Sequence, residues 1–185
     1  MVKITSSAAI SCLKFLGKND KELIDKAATD SMRNEINKLK INGVVVIGEG
    51  ELDKAPMLHI GERLGAGGDL ELDIAVDPLE GTNFAAKNLP GALSVISIAE
   101  KGNLFNAPET YMDKLAVSGR VPFDATDLDF SLEKNIQNIA DSMNKDIKDV
   151  TVCLLDRPRH KEIITKLENM KTKIKLITDG DVSGA

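Results

Sequence analysis

Val44-Val45-Val46-Ile47-Gly48-Glu49-Gly50-Glu51 and Leu72-Asp73-Ile74-Ala75-Val76-Asp77-Pro78-Leu79-Glu80-Gly81-Thr82 decide how this chain reads. Each opens on a short apolar run rich in β-branched residues, the pattern of a buried strand, and each runs straight into an acidic turn. Upstream, Thr5 or Ser6 is placed to cap a first helix with Ala9, Cys12, Leu13 and Leu16 at helical spacing, ended by Gly17. Asp20 is placed to cap a second, with Leu23, Ile24, Ala27, Ala28, Met32, Ile36 and Leu39 on one stripe, stopped by Asn42-Gly43. Downstream, Leu93 to Ala99 and Asn103 to Ala107 read as a hairpin turning at Lys101-Gly102. A helix from Ser131 follows, then a strand (Thr151 to Leu155), a basic turn (Arg157-Pro158-Arg159), a helix through Leu167 and a strand (Ile174 to Thr178). The order predicts a layered α/β architecture with mixed sheets, one domain over 1–145 and the start of a second over 146–185. Asp179-Gly180-Asp181 opens a helix that Ala185 interrupts, so the second half is expected to be incomplete and the chain cut.

Composition narrows the partners. The 185 residues carry a net charge of −5, which argues against a protein that grips nucleic-acid phosphates. Aromatics are 3%, without Trp, so base stacking has little support and the core rests on aliphatic side chains. Cys12 and Cys153 fit neither a metal spacing nor a disulfide framework, as expected of a reduced, cytoplasmic protein. The N-terminal apolar stretch is broken by Lys14, and no run is long enough to span a bilayer, so no membrane partner is expected.

The chemistry concentrates in the acidic turns. Glu49, Glu51, Asp53, Asp77 and Glu80 follow two apolar strands, and if those strands are neighbours the turns converge on one sheet edge. Carboxylates so gathered repel unless a cation joins them, and hard oxygen ligands select Mg²⁺ or Mn²⁺. Asp25, on the flank of the second helix's stripe, can point toward the same pocket. Singly, each acid also reads as a solvated turn residue or cap. Thr82 reads equally as a phosphate site at a helix N-terminus and as a plain N-cap. Arg157 and Arg159 offer planar forks to a phosphate, or ordinary surface charge. His160 reads as a helix-start residue and His59 as structural.

Gly48 to Met57, Ala75 to Thr82, Asn106 to Lys114, Arg157-Pro158-Arg159-His160 and Asp179-Gly180-Asp181-Val182 together resemble the class II fructose-1,6-bisphosphatases, nearly end to end. The Asp77-Pro78-Leu79-Glu80-Gly81-Thr82 element is similar to the wider lithium-sensitive sugar and inositol phosphatase superfamily, whose fold is a layered α/β sandwich. The resemblance implies Asp25 and Glu49 on one divalent metal and Asp77 and Glu80 on another. It further implies a substrate site of Glu80, Gly81, Thr82, Tyr111, Arg157, Pro158, Arg159, Asp179, Gly180 and Asp181. Family chains continue well past Ala185 and supply a further acidic ligand, and a homo-oligomer is expected of the full-length family.

The expected activity is metal-dependent hydrolysis of the C1 phosphate of fructose 1,6-bisphosphate, a step of gluconeogenic sugar phosphate metabolism, with Mn²⁺ or Mg²⁺ as cofactor. Thr82 is the nucleophile or the residue that orients a water, and Asp53 the acid–base partner. Arg157, Arg159 and Tyr111 would grip the second phosphate. Alternatives are a sedoheptulose 1,7-bisphosphatase, another phosphatase of the superfamily, or a catalytically weak remnant.

Overall fold

The computed structural model describes residues 1–49, 57–105 and 111–185. It forms two compact units, Met1–Thr110 and Tyr111–Ala185.

In the first unit, α1 (Val2–Cys12) and α2 (Lys21–Ile36) pack on a four-stranded sheet. Asp20 caps α2 as expected, its carboxylate accepting from Leu23 N at 3.0 Å. Ile24, Ala28, Met32 and Ile36 recur every fourth residue along α2 and are wholly buried. They meet Ile4, Ala8 and Cys12 of α1 and Val45, Ile74 and Val76 of the strands in one core. The start of α1 corrects the expected cap: the helix is already formed at Val2, and the Thr5 hydroxyl donates back to Val2 O at 3.2 Å. The end of α2 is corrected too, because the helix closes at Ile36 and Asn42-Gly43 opens a strand.

The strands are β1 (Asn42–Ile47), β2 (Arg63–Leu64), β3 (Glu71–Glu80) and β4 (Leu93–Glu100), in the order β2-β1-β3-β4. β1 and β3 are parallel neighbours, while β1–β2 and β3–β4 are antiparallel. The sheet is mixed, as expected. The expected hairpin is corrected: β4 pairs with β3, residues 103–105 form no strand, and 106 and 107 lie outside the described residues. The buried Asp73 carboxylate supplies the reason. It accepts from Gly102 N at 2.7 Å and Leu104 N at 3.4 Å, folding the turn after β4 back onto β3.

The second unit contains α4 (Leu132–Ser142), β5 (Thr151–Leu155), α5 (Lys161–Asn169), β6 (Lys173–Ile177) and the short α6 (Asp181–Gly184). The single short helix after β3, Thr82–Ala86, is α3 of the first unit. β5 and β6 pair in parallel through α5, a βαβ crossover. Ser131 caps α4, accepting from Lys134 N at 3.1 Å. Ile136 and Ala140 of α4 share a buried cluster with Val150 and Leu167, so α4 belongs with the strands that follow it. The division after Thr110 therefore precedes the expected one after residue 145. Among the described residues, no helix is long and apolar enough to cross a membrane.

Candidate functional site

The two acidic strand ends do lie side by side. The last paired position of β1 and β3 is Ile47 with Ala75, and two residues further along each strand come Glu49 and Asp77. Both leave the C-terminal edge of a parallel pair, where α/β sheets commonly bind ligands. The register of β1 carries an irregularity just before this point, between Val45 and Ile47.

β3 does not stop at Val76 as the apolar run suggests but continues through Asp77-Pro78-Leu79 to Glu80. In a regular strand Asp77 and Glu80, three apart, would point to opposite faces. Here Asp77 pairs with Val95 and Glu80 with Leu93, so β3 advances three residues while β4 advances two. That is a bulge of one residue. Val95 and Leu93 share a face of β4, and the residues opposite them share it too. The bulge thus brings Asp77 and Glu80 to one side of the sheet. It contains Pro78, whose missing N–H a regular ladder would not tolerate. Asp77 Oδ1 accepts from Leu79 N at 3.1 Å, closing the bulge locally.

Gly81 then turns the chain with φ +78°, a left-handed conformation that a side chain would disfavour. Thr82 is the first residue of α3, and its hydroxyl donates to Leu79 O at 2.9 Å. The plain N-cap reading of Thr82 is corrected: Gly81 occupies the cap position, and the Thr82 hydroxyl faces back over the bulge.

Asp25 is buried on α2, which packs against β3 and α3. Among the described residues nothing hydrogen-bonds to its carboxylate or forms an ion pair with it. Burial pushes its pKa upward. The Cys12 thiol is also pushed up, first by burial and further by the Asp25 charge, against an opposing hydrogen bond from Ser11. A buried carboxylate without a partner is costly unless a cation joins it, and its oxygens suit a hard divalent ion. Asp77 with Glu80 on one face, and Glu49 beside Asp77, have the same donor chemistry. Among the described residues, no three acidic, His or Cys side chains already stand as one metal-sized group. Glu51 and Asp53 lie outside the described residues.

Met57 and Glu62 are tied to α2 by a residue that sequence reading missed. Arg33 donates to both carboxylate oxygens of Glu62, at 2.6 and 3.2 Å, and to Met57 O at 2.8 Å. His59 completes the group, 3.4 Å from Glu62, in the structural role expected of it. Glu49 N donates to Leu58 O at 3.0 Å. Gly48 permits that approach, because a Cβ there would lie 2.2 Å from the same carbonyl oxygen.

In the second unit, three distant stretches meet at the C-terminal edge of β5 and β6. The Arg159 guanidinium stacks on the Tyr111 ring, 4.2 Å from its centroid. Arg157 donates to Asp156 O at 3.0 Å and to Thr178 O at 2.8 Å, linking the loops that follow the two strands. Asp181 accepts from Lys114 at 2.8 Å, and this bond holds its carboxyl below the usual range. His160 stands at the start of α5, as expected, with Nδ1 2.7 Å from Leu155 O. Lys114 was also missed. Its signal in the sequence is its place in the stretch Asn106 to Lys114 that carries the family resemblance, three residues after Tyr111.

The family described as "Bacterial fructose-1,6-bisphosphatase, glpX-encoded" matches residues 1–185. The chain belongs to that family. A D-fructose 1,6-bisphosphatase class 2/sedoheptulose 1,7-bisphosphatase of Synechocystis sp. is 42% identical over 201 residues, covering 100% of this chain and 57% of the relative. Fructose-1,6-bisphosphatase 1 class 2 of Escherichia coli K12 is 42% identical over 183 residues, covering 99% and 54%. The chain thus spans about half the length of the curated relatives it matches. A solved structure titled as an extragenic suppressor from Pyrococcus furiosus covers 54% of this chain at 22% identity and a TM-score of 0.37, too low to bear on the fold.

Proposed function

We propose that this chain supplies metal- and phosphate-binding parts of an enzyme that hydrolyses the C1 phosphate of fructose 1,6-bisphosphate with Mn²⁺ or Mg²⁺. The observation that carries the reading is the bulge in β3, which turns Asp77 and Glu80 to one face, with Glu49 two residues past the end of the neighbouring β1. Asp25 and Glu49 would hold one ion, and Asp77 and Glu80 the other. When bound, such ions neutralise phosphoryl oxygens and stabilise the leaving alkoxide. The protein's own groups do the rest. The Thr82 hydroxyl, oriented by Leu79 O, serves as nucleophile or aligns the attacking water. Asp53 exchanges the proton. Arg159, stacked on Tyr111, with Arg157 and the loop Asp179-Gly180-Asp181, fixes the distant phosphate and so the orientation of the sugar.

A second reading, sedoheptulose 1,7-bisphosphate as an additional substrate, is favoured by the name of the Synechocystis relative. Both sugars carry a phosphate at each end and differ in length between them.

The test combines binding with turnover. Mn²⁺ is expected to raise the melting temperature of the wild-type chain but not of Glu49→Gln or Asp77→Asn, since a ligand that binds only the folded state stabilises it. Phosphate released from fructose 1,6-bisphosphate should depend on the ion and stop with chelator. Undiminished hydrolysis in EDTA by both variants would sink the metal assignment. Absence of any Mn²⁺ effect on the wild type would sink it equally.

A further inference from the structure

Tyr111 to Lys114 form one stretch without helix or strand, pinned at both ends. At one end the Tyr111 ring carries the Arg159 guanidinium, and at the other Lys114 Nζ reaches Asp181 Oδ2 at 2.8 Å. Arg159 stands in the turn after β5, and Asp181 opens α6 after β6. Leu155 pairs with Ile177 at the ends of these parallel strands, so the two loops leave the same edge together. The stretch is therefore a strap across the C-terminal edge of a parallel sheet. Arg157, donating to Thr178 O, links the two loops at the same edge. Three cations, Lys114, Arg157 and Arg159, are gathered there, with Asp156, Asp179 and Asp181 as the neighbouring acids.

We propose that Lys114 is a further phosphate contact and specificity determinant of this site, exchanging the Asp181 carboxylate for a phosphate oxygen of the sugar ligand. The inference rests on the reading that Tyr111, Arg159 and Asp181 face the sugar phosphate. Three features support the exchange. Both partners of the pair are partly exposed, 65% for Lys114 and 44% for Asp181, and exposed pairs hold weakly. A phosphate dianion offers more charge and more acceptor oxygens than a carboxylate. The lysine is a compact charge on a flexible four-carbon stem, able to swing between two acceptors while Tyr111 and Arg159 keep the strap in place. Lys114 would thus favour a sugar with a phosphate at this position over the unphosphorylated sugar.

The experiment titrates the full 185-residue chain with fructose 6-phosphate by calorimetry, for wild type, Lys114→Met, Lys114→Arg and Arg159→Met. Lys114→Met keeps the apolar stem and removes the charge from an exposed position, so its melting temperature should match the wild type. Its Kd is expected to rise about tenfold, as for loss of one charge-assisted hydrogen bond. Lys114→Arg should recover affinity to within about threefold, since the charge is kept. A carbon-13 carboxyl titration of Asp181 adds a readout that a merely structural lysine would not move. The Asp181 pKa should rise on binding more in wild type, which loses Lys114 as well as gaining the phosphate's negative charge, than in Lys114→Met, which gains only that charge. Lys114→Met binding as tightly as wild type, with Arg159→Met weakened, would overturn the proposal and leave the site reading standing. Unchanged binding in both variants, or no binding by the wild type, would overturn the site reading and the proposal with it.

Discussion

Gly48→Ala tests how tightly the chain just past β1 is held against Leu58. The added methyl would lie 2.2 Å from Leu58 O, 2.7 Å from Val45 Cγ1 and 3.3 Å from Leu58 C. Two of these three neighbours are backbone atoms, and Leu58 is wholly buried, so no side-chain rotation relieves the clash. The backbone must part. The bond at stake is Glu49 N to Leu58 O, now 3.0 Å. Overpacking a close-fitted site costs about 1–3 kcal/mol. A lost hydrogen bond adds about 1 kcal/mol. The variant should therefore lose about 2–4 kcal/mol. At roughly 2–4 °C per kcal/mol for a chain of this size, the melting transition should fall by about 5–15 °C. Calorimetry reads the loss, and amide exchange at Glu49 shows where it falls. Mn²⁺ stabilisation should weaken as well, because Glu49 loses its anchor. A variant melting within about 1 °C of wild type, with Glu49 protection intact, would refute the close approach and the positioning drawn from it.

Without divalent ions, burial raises the Asp25 pKa, so the folded state holds this proton more tightly than the unfolded one. Stability should accordingly fall as pH rises from about 4, the ordinary carboxyl value, through the folded pKa. Asp25→Asn should flatten that part of a thermal melt series, raise the melting temperature at neutral pH and reduce the gain from Mn²⁺; an unchanged slope would count against a carboxylate desolvated by burial. Thr82→Ser should keep measurable phosphate release, whereas Thr82→Ala should lose at least about two orders of magnitude in turnover, with less change in KM. Equal, mild effects would leave Thr82 with only its bond to Leu79. Leu167→Ala, in the buried cluster of the second unit, should cost about 2–5 kcal/mol, read as lost amide protection in β5 and β6.

What the sequence disclosed follows from where its signals are local. The stripe from Ile24 to Ile36 and the Asp20 cap lie within one helix, and the runs Val44–Ile47 and Leu72–Val76 carry their own strand pattern. Adjacency of β1 and β3 could be posed only as a condition. What stayed hidden depends on partners remote in the chain. Whether β3 continues past Asp77 is decided by β4, since Pro78 and the acids around it read as a turn until Val95 and Leu93 pair across from them. The partner of β4 was misjudged because the role of Asp73 as acceptor for Gly102 and Leu104 has no pattern in sequence. α4 was given to the wrong side of the boundary because an amphipathic face does not say which core it meets. Arg33 and Lys114 carry no pattern that marks their partners, and only the carbonyl and carboxylate groups brought to them from elsewhere give them work.

The two irregularities in β1 and β3 give this corner of the sheet a parity. Each strand holds one residue more than its neighbour over the same distance: β1 before Ile47, β3 before Glu80. Elsewhere in a strand, losing or gaining one residue near an end shifts a loop. Within Asp77–Glu80 it would turn every side chain beyond it from one face to the other. Glu80 would leave the side of Asp77, and Thr82 would enter α3 from the opposite flank. Insertions and deletions should therefore be excluded from these four positions. Removing Leu79 alone should do more harm to ion binding than replacing it, although either change deletes the same apolar side chain.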